Sequence, residues 1–113
     1  MRTRYYLSLP DPSKSRGHGD YAFTAQGAGA FADQLQDALR SGGVFERWRR
    51  AQDDPDAVDQ SLAATDPQAT VTGEQRDLHI DLIATTSLPG NVLKHRMQLL
   101  AGHTWELRDV TAA

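Results

Sequence analysis

Between residues 75 and 110 the hydrophobic pattern changes period twice. Asp77-Leu78-His79-Ile80-Asp81-Leu82-Ile83-Ala84 alternates, with Leu78, Ile80, Leu82 and Ala84 on one side and Asp77, His79 and Asp81 on the other. That is the period-two signature of a strand buried on one face. Thr85, Thr86 and Ser87 then offer N-cap oxygens, and Pro89 falls where a first helical turn tolerates it. Leu88, Val92, Leu93, Met97 and Leu100 form an apolar helical stripe that Gly102 ends. Residues 105–110, Trp-Glu-Leu-Arg-Asp-Val, return to a strand.

The first half carries similar signals. Tyr5, Leu7 and Leu9 alternate with Arg4, Tyr6 and Ser8, predicting a strand that stops at Pro10. Residues 11–20 are rich in Gly, Pro and Ser and read as a loop, after which Tyr21–Ala25 is a candidate second strand pairing with the first. Ala28, Phe31, Leu35, Ala38 and Leu39 recur at helical spacing up to Gly42-Gly43, and Val44, Phe45, Trp48 and Ala51 predict a short second helix with Trp48 on its core side. Asp54-Pro55 marks the start of a further turn or two over Asp56–Leu62. Ala69–Thr72 has strand propensity, with Gly73-Glu74 as a turn or bulge before the Asp77 strand.

One-sided strands interleaved with helices predict one α+β domain over residues 1–113. Its sheet is mainly antiparallel, with 4–5 strands and 2–3 helices packed on one face, a ferredoxin-like (split β-α-β) variant. In that topology the first strand lies between the Asp77 and Trp105 strands. Arg4 and Tyr6 then sit on the open face among Asp77, His79, Asp81, Glu106 and Arg108, where opposite charges on neighbouring strands favour pairing. Tyr6, Ile83 and Val110 are expected to project to the same side.

Composition narrows the chemistry. With no cysteine among 113 residues, disulfides, thiolate catalysis and thiolate zinc sites are excluded. A net charge of −3 argues against a protein devoted to neutralising phosphates. No apolar run approaches a membrane span, and the N-terminal stretch lacks the long apolar core of a signal peptide, so a cytoplasmic protein without membrane contact is expected.

Candidate sites are few, and each has a plainer reading. Arg4, Tyr6, Asp77, His79 and Asp81 would form a binding surface on the open sheet face, or simply a salt-bridged exterior. Residues two apart on a strand lie roughly 7 Å apart, too wide for Asp77, His79 and Asp81 to grip a metal unaided, so no metal ligand and no cofactor are assigned. Arg47, Arg49 and Arg50 around Trp48, with Lys94 and Arg96 on the last helix, suggest single-stranded nucleic acid. Asp53 and Asp54 would neutralise Arg49 and Arg50 at i,i+4 spacing. His18, His79, His95 and His103 are available as bases, and Ser13, Ser15 and His18 share a loop, but no hydrolase, zincin or Walker motif accompanies them. The expected role is a non-catalytic interaction or regulatory module whose partner is another protein or a second copy of the chain. Nucleic-acid binding through the open face or the basic helices is the first alternative, and a small metal-dependent or hydrolytic enzyme the second.

Overall fold

The computed structural model describes residues 2–16 and 22–113. Strand β1 (Thr3–Leu9) is followed by helices α1 (Ala28–Arg40) and α2 (Gly43–Arg50), then β2 (Thr70–Arg76), β3 (His79–Thr86), α3 (Gly90–Ala101) and β4 (Glu106–Ala112). Short 3-10 turns lie at Pro12–Ser15, Pro55–Ala57 and Gln60–Ala63. The four strands form one antiparallel sheet in the order β2-β3-β1-β4, so β1 lies between β3 and β4 as the split β-α-β arrangement requires.

The alternating apolar residues do the work expected of them. Tyr5, Leu7 and Leu9 of β1 and Ile80, Leu82 and Ala84 of β3 point to the helices and pack on Phe31, Leu35 and Leu39 of α1 and on Val92, Leu93, Met97 and Leu100 of α3. Gly73 lies inside β2, where α1 crosses the strand. A Cβ there would collide with the Ala28 carbonyl and come within 3.2 Å of the Ala32 methyl, so the sequence breaks its β-pattern to admit the helix. Gly102, at φ +61°, ends α3 in a backbone state that side chains disfavour.

Several expected boundaries move. The reversal falls at Asp77-Leu78, not Gly73-Glu74, because β2 runs on to Arg76 and pairs directly with His79. Asp77 takes the turn at φ +54°, and Leu78 is 87% exposed at the tip, so neither belongs to the strand faces that alternation assigned them. β3 instead continues through Thr86, whose hydroxyl donates to Asp66 instead of capping α3. No strand forms over the described residues of the Tyr21–Ala25 segment; Tyr21 lies outside the described residues. Phe23 makes one isolated bridge to Arg16, donates its N–H to the Leu100 carbonyl and sets its ring edge-on to Phe31 at 4.8 Å.

The two sheet edges are handled differently. On β2 the outward Val71 N–H is taken by the Gln36 side chain, and Arg40 Nε donates to the Ala69 carbonyl, so α1 blunts that edge. On β4 a bulge does it: Leu107 pairs with Leu7 and Asp109 with Tyr6, leaving Arg108 as the extra residue. The bulge also reverses the face of everything beyond it. Val110 pairs with Tyr5 on the helix side, not with the open face where simple alternation puts it. No helix among the described residues is long and apolar enough to cross a membrane.

Candidate functional site

The helix-free face of the sheet forms a trough of about 820 Å³, lined among others by Tyr6, Ser8, Arg76, His79, Asp81, Ile83, Glu106 and Arg108. Its floor is ordered in cross-strand rows that the registers define. Glu74, Asp81, Ser8 and Glu106 form one row across β2, β3, β1 and β4. Thr72, Ile83, Tyr6 and Asp109 form the next, and Thr70, Thr85, Arg4 and Thr111 the one beyond.

Of the five residues expected here, Tyr6, His79 and Asp81 line the trough, Arg4 shares the face but lies beyond the trough lining, and Asp77 has left for the hairpin tip. The cross-strand charge pairing expected of Arg4 does not occur, since its partners in register are Thr85 and Thr111. Charges are matched mostly along strands instead. Arg76 meets Glu74 at 2.9 Å, Arg108 meets Glu106 at 2.9 Å, and His79 Nε2 stands 3.3 Å from Asp81. Arg76 also reaches across to Asp81 at 3.7 Å. Ser8, which sequence reasoning left unremarked, is the most enclosed residue of this row at 5% exposure. Its place after Tyr6 in the alternation put it on this face, but only the register reveals that Asp81 and Glu106 flank it.

The trough lacks the order of groups that nucleophilic catalysis needs. Asp81, not His79, stands opposite Ser8, so the hydroxyl has a carboxylate across from it and no imidazole to take its proton. Among the described residues no three His, Asp or Glu side chains converge in a way that would hold a metal ion. The loop candidates separate as well. Ser13 bonds to Asp11, Ser15 is buried against Thr104 at 2.8 Å, and His18 lies outside the described residues.

The basic-helix candidates divide sharply. Arg96 is fully buried and cannot touch a nucleic acid. Its guanidinium donates to three carbonyls, those of Ala38, Leu62 and Ala64, and lies 5.4 Å from the Phe45 ring centre, so it fastens the residue 60–64 segment to α1 and α3. Burial lowers its pKa. Arg49 and Arg50 both lean on Glu46, and Arg49 also approaches Asp56; the expected partners Asp53 and Asp54 are not used. Arg47 and Lys94 remain exposed. Trp48 is half-buried, not core: Phe45 fills the interior, and the indole stacks edge-on against His95 at 4.5 Å where α2 leaves α3. His95 Nδ1 is buried without a hydrogen-bond partner, and burial, followed by the nearby Arg96 charge, lowers the imidazole pKa.

A second buried charge escaped sequence reasoning. Asp66 accepts from the Thr86 hydroxyl at 2.8 Å and from the N–H groups of Ser87 and Gln68 at 3.0 Å, while Arg2 lies at 3.6 Å. Burial works to raise its pKa but is outweighed by these hydrogen bonds, and the carboxyl titrates below its ordinary value. It ties the start of β2 to the end of β3. A lone aspartate in a polar stretch carries no signal of this role.

No family model matches the chain, and no curated protein or solved structure matches it either.

Proposed function

We propose that the protein is a non-catalytic interaction module of ferredoxin-like connectivity that receives another protein, or a second copy of itself, on the open face of its sheet. The observation that carries this reading is the trough itself. Helices cover one face only, and the other is concave, with Tyr6 and Ile83 in its floor and paired charges around them. A volume of about 820 Å³ lies within the range of roughly 300–1,000 Å³ in which proteins bind compact ligands or anchor side chains. An aromatic and an aliphatic centre inside a charged rim is also how protein interfaces are commonly built.

Nucleic acid fits less well. Three carboxylates line the trough, and of the helical arginines Arg96 is buried while Arg49 and Arg50 are held by Glu46, which leaves Arg47 and Lys94 as the exposed cations of that set.

A photoreactive residue placed at Ile83 should cross-link a partner chain in cells expressing the protein, while the same residue at the exposed helical position Asp33 should not. Silence at Ile83, or equal labelling at both positions, overturns the reading. Sedimentation of the purified chain over a dilution series identifies whether a captured partner is a second copy.

A further inference from the structure

We infer that the row Asp81–Ser8–Glu106 is a seat for a primary alkylammonium group, the end of a lysine side chain or of a free polyamine, whose aliphatic stem lies over Tyr6 and Ile83. The inference rests on the interaction-module reading and names what the trough recognises.

Ser8 presents an unbonded hydroxyl to the trough. It is 95% shielded and lines the trough, yet among the described residues its hydroxyl has no hydrogen-bond partner. The hydroxyl itself keeps an opening to the trough, since His95 Nδ1 is the one enclosed side-chain polar atom without a partner among the described residues, so a group seated in the trough can bond to it. The neighbours of Ser8 in register are Asp81 on β3 and Glu106 on β4, each one strand spacing away, about 4.8 Å. The row therefore sets carboxylate, hydroxyl and carboxylate side by side on three neighbouring strands. An ammonium group has three donors and no acceptor, which matches those three acceptors.

Charge favours the same ligand. Glu74, Asp81 and Glu106 face Arg76 and Arg108 in the lining, three carboxylates against two guanidiniums. The guanidiniums already present engage their carboxylates along exposed, weakly held contacts. Arg108 takes only Oε2 of Glu106. A planar guanidinium ligand would want both oxygens of one carboxylate, whereas here the acceptors are spread over three strands, an arrangement suited to a compact point charge. Tyr6 and Ile83 stand opposite one another in the next row, roughly 7 Å along the strands, where a methylene chain can cover them.

The test is an amide chemical-shift titration of the full chain with three probes. They are 1,5-diaminopentane, a capped pentapeptide with one central lysine, and the same peptide with norleucine in its place. The amines should give saturable shifts confined to residues 6–8, 81–83 and 106–108, weakening as salt is raised, and the norleucine peptide should give none. Asp81→Asn and Glu106→Gln should each weaken amine binding by about tenfold, the scale of one charge-assisted hydrogen bond. Ser8→Ala should weaken it by about threefold, the scale of a neutral one. Tighter binding of the peptide identifies a partner's lysine, and tighter binding of the diamine a free polyamine. The proposal is overturned by the absence of saturable shifts with either amine, or by affinity unchanged in the Asp81→Asn/Glu106→Gln double variant with its dispersed spectrum intact. Equal shifts from lysine and norleucine peptides would overturn the ammonium seat while leaving an open-face interaction standing; a silent Ile83 cross-link would remove the interaction reading itself.

Discussion

Arg96, on the helix side of the sheet, is closed off from solvent and held by three backbone carbonyls, whereas Arg76 and Arg108, on the open side, each lean on a carboxylate two residues away along their own strand. Asp66 and Asp81 repeat the contrast. The first is enclosed and accepts three hydrogen bonds; the second is 40% exposed and makes loose contacts. The same side-chain types are thus locked into the fold on one face and stay in contact with solvent on the other. The physical difference is desolvation. A buried charge that loses a partner has no water to replace it, while an exposed one does.

The largest effect is expected of Arg96→Ala, which strips three carbonyls, the buried one of Ala38 among them, of their donor and leaves a cavity. Urea denaturation should show a loss of about 3–5 kcal/mol; a loss below about 1 kcal/mol would mean that water replaces the guanidinium and the face is less closed than argued. Gly73→Ala should cost about 1–3 kcal/mol, because the new methyl meets the α1 backbone and not a movable side chain.

Asp66→Asn should cost about 1–3 kcal/mol at neutral pH. The folded carboxyl titrates below its unfolded value, so its stabilisation is present above about pH 4 and is lost as pH falls through the folded value. The variant should therefore flatten the acid limb of a melting-temperature profile, and an unchanged acid limb would remove Asp66 from this role.

His95 sets a smaller dependence in a different window. Its folded pKa also lies low, so the unfolded chain binds the proton first. Stability is full above about pH 6.5 and declines as pH drops below it. His95→Gln should abolish that decline, measured by thermal melts from pH 7.5 downwards. At the small end, Arg108→Ala on the open face should change stability by no more than a few tenths of a kcal/mol while altering amine binding in the trough. A large destabilisation there would erase the distinction between the two faces.

The periodicities of the chain were enough to establish the class of fold. Alternation at Tyr5, Leu7 and Leu9 and at Ile80, Leu82 and Ala84, with helical stripes through Phe31, Leu35 and Leu39 and through Val92, Leu93 and Met97, specifies a one-sided sheet under helices. Burial of apolar area depends on local spacing, and spacing is written in the sequence.

What only the tertiary structure decided depends on partners far along the chain. Asp77 and Leu78 fit the strand pattern, yet the β2–β3 register made them the turn. The Arg108 bulge reversed the face of Val110, because one added residue shifts a period-two pattern by half its repeat. Trp48 and Arg96 exchanged their expected places: an indole and a guanidinium can each lie inside or outside, and the choice fell to whichever found its partners there, carbonyls for Arg96 and the His95 ring at the rim for Trp48. Ser8 became a candidate only once register set it between two carboxylates. Alternation tells which way a side chain points, and pairing alone tells what stands beside it.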